Sequence, residues 1–108
     1  MNLPTELFGN VLVVHAPDEL GADYSERFAA FLDELGQRQI VLDMDHTETL
    51  DSEGLTIILN SQDKLRAAEG DLKIATTNAV TRKIFEMTRI DQQLEVYESV
   101  VDAVNSFH

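Results

Sequence analysis

The chain has 108 residues, 20 of them acidic and 8 basic, for a formal charge of −12 at pH 7. That length suits one ordinary domain, and a hydrophobic share of 44% is too high for a disordered acidic tail. The charge opposes phosphate backbones and anionic lipid surfaces, and the absence of cysteine removes disulfides, zinc ribbons and thiol nucleophiles together.

After a polar opening, Val11-Leu12-Val13-Val14 is a β-branched run of strand length, introduced by Gly9-Asn10. Pro17-Asp18-Glu19-Leu20-Gly21 breaks it. A helix starting at Ala22 or Asp23 follows, because Phe28, Phe31, Leu32 and Leu35 recur at i, i+3, i+4 and i+7, and Gly36 ends it. Ile40-Val41-Leu42, running on through Asp43-Met44-Asp45, reads as a second and more buried strand. The polar link His46-Thr47-Glu48 leads to Thr49-Leu50-Asp51-Ser52-Glu53-Gly54. From Leu55 the period is helical again, with Leu55, Ile58, Leu59 and Leu65 on one side, until Glu69-Gly70-Asp71. Leu72-Lys73-Ile74-Ala75 is a third strand. Thr77 or Asn78 is expected to cap a helix carrying Val80, Ile84 and Met87 on its inner face. Leu94-Glu95-Val96-Tyr97 reads as a last short strand, and Val100, Val101, Val104 and Phe107 mark a C-terminal helix.

Strands and helices therefore alternate, which favours crossover connections and an at least partly parallel sheet. The expected architecture is one α/β domain over residues 1–108. No run approaches the length needed to cross a membrane, and Met1-Asn2-Leu3-Pro4-Thr5-Glu6 lacks the basic and apolar parts of a signal peptide, so the cytoplasm is the expected location.

Little in this sequence points to catalysis. His15, His46 and His108 are scattered, without metal-ligand spacing. Asp43 and Asp45 share a face at a strand's C-terminal end, where open α/β sheets place ligands, but solvated strand-end acids are the simpler reading. No metal or cofactor is expected. No phosphate-binding glycine loop occurs, since the five glycines are spaced as punctuation, and Ser52 lies outside a G-x-S-x-G elbow.

The informative segment is Asp51-Ser52-Glu53-Gly54-Leu55. A hydroxyl just before a long helix is ordinarily an N-cap for unpaired backbone amides. An exposed hydroxyl there is also chemically suited to accept a phosphoryl group, because helix N-termini favour anions. The carboxylates of Asp51 and Glu53 would repel that added charge, so such a site can switch a docked partner off.

Asp-Ser-x-Gly-Leu, after an Ile-Val-Leu-Asp strand and a short acidic link, resembles the STAS domain of anti-sigma-factor antagonists. The similarity spans about residues 9–107. Gly9–Val14 resembles the family's opening strand, Asp18-Glu19-Leu20 its Gly-Glu-Leu-Asp turn, and Glu69–Ile74 its glycine-rich turn into the third main strand. Asn78–Phe85 is similar to the helix that follows, and Tyr97–Val104 to the closing strand and helix. The resemblance implies a mixed sheet of four or five strands packed against about four helices. It implies that Ser52 is the phosphoacceptor of an anti-sigma factor that is itself a serine kinase and brings its own ATP and magnesium. Asp51 would contact that kinase or orient the hydroxyl. The partner surface would comprise Asp51, Glu53, Gly54 and Thr56 at the helix start, with Asp18, Glu19 and Gly21 of the preceding turn. Glu53 stands where the family often has Ser or Thr, and Asp18 and Gly21 exchange the glycine and acid of the family's turn. An alternative within the same fold is a non-switching accessory subunit of a transporter or a stress-signalling assembly. The oligomeric state is open.

Overall fold

The computed structural model describes residues 2–107. The β-branched runs form the centre of a five-stranded sheet whose spatial order is β1 (Thr5–Phe8), β2 (Val11–His15), β4 (Gln39–Asp43), β6 (Asp71–Ala75) and β7 (Val96–Tyr97). β1 runs antiparallel to β2, with Leu7 opposite Leu12, and the remaining neighbours are parallel, so the sheet is mixed. The parallel register sets Val13 against Val41 and Val41 against Lys73. Helices α1 (Ser25–Glu34), α2 (Ser52–Ala67), α3 (Ala79–Met87) and α4 (Val100–Asn105) supply the crossovers and the C-terminal layer, as the sequence pattern requires.

Alternation along each strand divides the sheet into two faces. Leu12, Val14, Ile40, Leu42, Leu72 and Ile74 pack with Phe28 of α1, Ile58 of α2 and Phe85 of α3. Val11, Val13, Val41 and Ala75 face the other way, against Ala103 and Val104 of α4. Burial on both faces is why these strands read as continuous apolar runs. Lys73 lies on the α4 face. Its Nζ donates to Ser106 Oγ at 2.7 Å, pairs with Glu95 at 2.9 Å and sits 4.3 Å from the Phe107 ring centroid, which ties α4 to the sheet.

Several elements depart from expectation. β1 falls in what reads as a polar opening, and all four of its residues are exposed, so no buried alternation marks it. Gly9 takes φ +64° in the tight turn that pairs it with β2. Two further strands, β3 (Glu19–Leu20) and β5 (Thr49–Leu50), form a separate parallel pair. Helix α2 begins at Ser52, a turn before its apolar period. The expected inner face of α3 is also corrected. Thr81 and Phe85 are buried, whereas Val80 and Met87 are 70% and 75% exposed and Ile84 is half-buried. Thr81 is polar, so counting apolar residues alone rotated the helix. In α4, Val101 likewise points outward, at 65% exposure.

Candidate functional site

The β3–β5 pair builds the site. Its register, Glu19 with Thr49 and Leu20 with Leu50, lays the turn after β2 alongside the link after β4. Backbone and side-chain bonds lace the two segments. Glu48 and Thr49 both donate their N–H to the Asp18 carbonyl, Asp51 N–H donates to the Leu20 carbonyl, and Thr47 Oγ1 donates to the Pro17 carbonyl at 2.9 Å. Thr47 is 2% exposed, so its hydroxyl bond is sheltered from water.

Helix α2 springs directly from this clamp. Its N-cap is Asp51, with extended backbone, not the serine after it. Asp51 Oδ1 accepts from the N–H groups of Glu53 and Gly54 at 3.0 Å each, and Oδ2 accepts from Ala22 N–H at 3.2 Å. One carboxylate thus satisfies two orphan amides of the helix and holds the β3 turn against it. Hydrogen bonds from Gly54 and Ala22, with a lesser one from Glu53, hold its carboxyl below the ordinary value of 3.8 against the opposing effect of desolvation. A lowered folded pKa means the cap stabilises the fold at all pH values above the ordinary one and fails only as pH falls through the lowered one.

Two glycines permit the approach. A Cβ on Gly54 would strike the backbone carbonyl of Leu20, and one on Gly21 would strike the Asp51 carboxylate. Both glycines are buried. They set the spacing beneath the surface, whereas Asp18, Glu19, Asp51, Ser52, Glu53 and Thr56 are exposed on it.

With Asp51 as cap, Ser52 occupies the first helical position and its hydroxyl is free of that duty. The Ser52 carbonyl accepts from Thr56 Oγ1 at 2.9 Å, which turns the Thr56 side chain back along the helix. Around Ser52 the clamp gathers the exposed acids Asp18, Glu19, Asp23, Glu48, Asp51 and Glu53, and residues 17–24 and 46–56 contain no Lys or Arg. A shallow depression between the two segments is lined by Glu19, Asp23, Tyr24, Thr49 and Asp51.

Asp43 and Asp45 have other occupations. Asp43 is buried and bonds His15 and the Asp45 N–H, and Asp45 Oδ1 accepts from both N–H and Oγ1 of Thr77. His46 is exposed in the following turn, and His108 lies outside the described residues. The contributions of Leu20, Ala22 and Thr47 were not legible in the sequence, since a two-residue strand carries no periodicity. Asp51 as cap was legible in principle, because Asp caps as well as Ser.

Compared with known proteins, the chain matches the family described as the STAS domain over residues 2–103. It is 26% identical over 110 residues to an anti-sigma F factor antagonist of Paenibacillus polymyxa, covering 96% of this chain and 94% of that protein. The crystal structure of an anti-sigma factor antagonist from Mycobacterium paratuberculosis superposes with a TM-score of 0.86 at 21% identity, over 97% of this chain and 92% of that one. The Bacillus cell fate determinant SpoIIAA, in its phosphorylated form, superposes with a TM-score of 0.72 at 16% identity, over 99% of this chain and all of the other.

Proposed function

Because this chain belongs to the STAS-domain family, we propose that it is an anti-sigma-factor antagonist: a cytoplasmic binding module that captures an anti-sigma factor of the serine-kinase type and is released when Ser52 is phosphorylated. The name of the Paenibacillus relative supports the antagonist reading. The observation that carries the switch is the exposed Ser52 hydroxyl at the first position of α2, relieved of capping by Asp51.

The geometry also supports a mode of action for that phosphate. The N–H groups of Glu53 and Gly54, which a phosphate at a helix start would otherwise seek, are already taken by Asp51. The new group would add about −1.5 to −2 charges without gaining those local donors. It would remain at the surface beside Asp51 and Glu53, and act by repelling the partner more than by refolding the loop. In this reading the partner meets Asp18, Glu19, Asp51, Glu53 and Thr56, with Gly21 and Gly54 holding that surface in shape from below. The partner supplies ATP and magnesium, so this chain is substrate and regulator, and the chemistry belongs to the kinase. A surface this acidic calls for a basic complement.

The test uses the cognate kinase-type anti-sigma factor, identified by pull-down, with ATP and magnesium. Intact mass should show one added phosphate on the wild type and none on Ser52→Ala, which should still bind. Equal incorporation by both proteins would take the acceptor role from Ser52. Ser52→Asp should bind severalfold more weakly, and an unchanged affinity would remove the switch while leaving the binding module.

A further inference from the structure

Away from the acceptor loop, His15 closes β2 on the same pleat face as Val11 and Val13, half-buried between two carboxylates on different strands. Its Nδ1 lies 2.8 Å from Asp43 Oδ2 on β4, and its Nε2 lies 3.2 Å from Glu6 Oε1 on β1. Ionised carboxylates only accept hydrogen bonds, so both contacts hold at once only when both ring nitrogens carry protons. The neutral ring has a single N–H and must set a lone pair against one of the two acids. Glu6 is the partner to lose, because its contact is longer and its side chain is 59% exposed against 10% for Asp43.

What depends on that contact is the edge of the sheet. All four residues of β1 are exposed, so the strand is retained by its ladder with β2, by the His15 N–H donated to the Pro4 carbonyl at 3.0 Å, by the Glu6–His15 link, and just before its start by Leu3, which packs on the core. We propose that His15 is a pH-operated clasp for β1: protonated, it ties the edge strand through Glu6 to Asp43 in the middle of the sheet, and deprotonated, it lets Glu6 go and loosens β1 from β2.

The electrostatics agree. Burial is the largest single influence on the imidazole and lowers its proton affinity. The hydrogen bonds to Asp43 and Glu6 and the charges of both acids together outweigh it, raising the pKa above 6.5. A raised folded pKa makes the stabilisation complete below pH 6.5, and it is lost as pH rises through the folded value. The other titratable groups on this face have partners of their own, and Tyr97 of β7 lies two strands beyond Asp43, beside Lys73. The second oxygen of Asp43 accepts the Asp45 N–H at 3.1 Å, and the Asp45 carboxylate is turned to Thr77. On β6, Lys73 is engaged with Glu95 and Ser106. Helix α4 brings Ala103 and Val104 to the face, and its titratable residue, Asp102, is exposed.

The experiment follows the ring protons of His15 by NMR across neutral to alkaline pH, alongside amide hydrogen exchange corrected for its intrinsic pH dependence. In the wild type, protection of the His15 amide and the β1 amides should fall severalfold relative to those of α2, with the midpoint of the ring titration. In His15→Gln and in the surface variant Glu6→Gln that step should vanish, and in Glu6→Gln the His15 pKa should move down. A flat wild-type profile through the His15 titration, or a step that survives in Glu6→Gln, would overturn the clasp.

Discussion

Asp51 and Gly54 do complementary work at one helix end. Asp51 supplies acceptors where backbone amides lack them, and Gly54 supplies the space that lets the Leu20 carbonyl come close. The second role reverses an ordinary expectation. Glycine inside a helix normally costs about 1 kcal/mol relative to alanine, so Gly54→Ala would stabilise an isolated helix. Here the new methyl would meet a backbone carbonyl that cannot rotate away, and Leu20 would have to shift with β3. Gly54→Ala should therefore destabilise the protein, by about 1–3 kcal/mol as overpacking does, in a urea melt. A more stable variant would mean that β3 yields freely and the clamp is soft.

At the scale of elements, α2 shows how burial grades along one apolar stripe. Leu55 and Ile58 are buried, at 9% and 0% exposure, while Leu59 and Leu65 are only partly covered. The spacing of these residues identifies the helix and its inward side, but not the depth of each side chain, which is set by where α1 crosses and where the sheet twists. Ile58→Ala should cost about 2–5 kcal/mol, as deletion of a fully buried side chain does, and Leu59→Ala clearly less, because part of its side chain already meets water. Paired denaturation curves with unchanged m-values check both, and equal losses would contradict the graded burial. The same reasoning explains α3. Its apolar periodicity selects Val80, Ile84 and Met87, yet the sheet receives Thr81 and Phe85. Thr81 reaches the interior because its neighbour Phe85 carries the apolar area, one turn away on the same face.

For the whole molecule, the charge of −12 is unevenly placed. The two clamped segments carry acids and no Lys or Arg, whereas three of the 8 basic residues, Arg82, Lys83 and Arg89, fall on or just after α3. A basic partner should therefore be steered to the α2 end. Screening shortens the reach of such a field from about 10 Å at 0.1 M salt to about 3 Å at 1 M. The association rate of such a basic partner should fall about tenfold over that range, with dissociation far less affected, in stopped-flow measurements. A rate indifferent to salt would assign the acidity to solubility alone.

Composition and periodicity by themselves determined the α/β class, the parallel core strands, the helix after Ser52 and the acid-flanked hydroxyl at its start. Those features repeat over several residues or carry their own turn chemistry, so a linear reading recovers them. Tertiary structure alone decided that the Asp51 carboxylate also holds Ala22, that a strand pair of two residues each joins two segments about thirty positions apart, that β1 is an edge strand, and that His15 bridges Glu6 and Asp43. Each of these rests on a bridge made by one or two residues or, for β1, on a strand exposed throughout, and no local period encodes it. The physical reason is strand pairing: backbone register between strands, not side-chain periodicity within one, chooses which short segments meet.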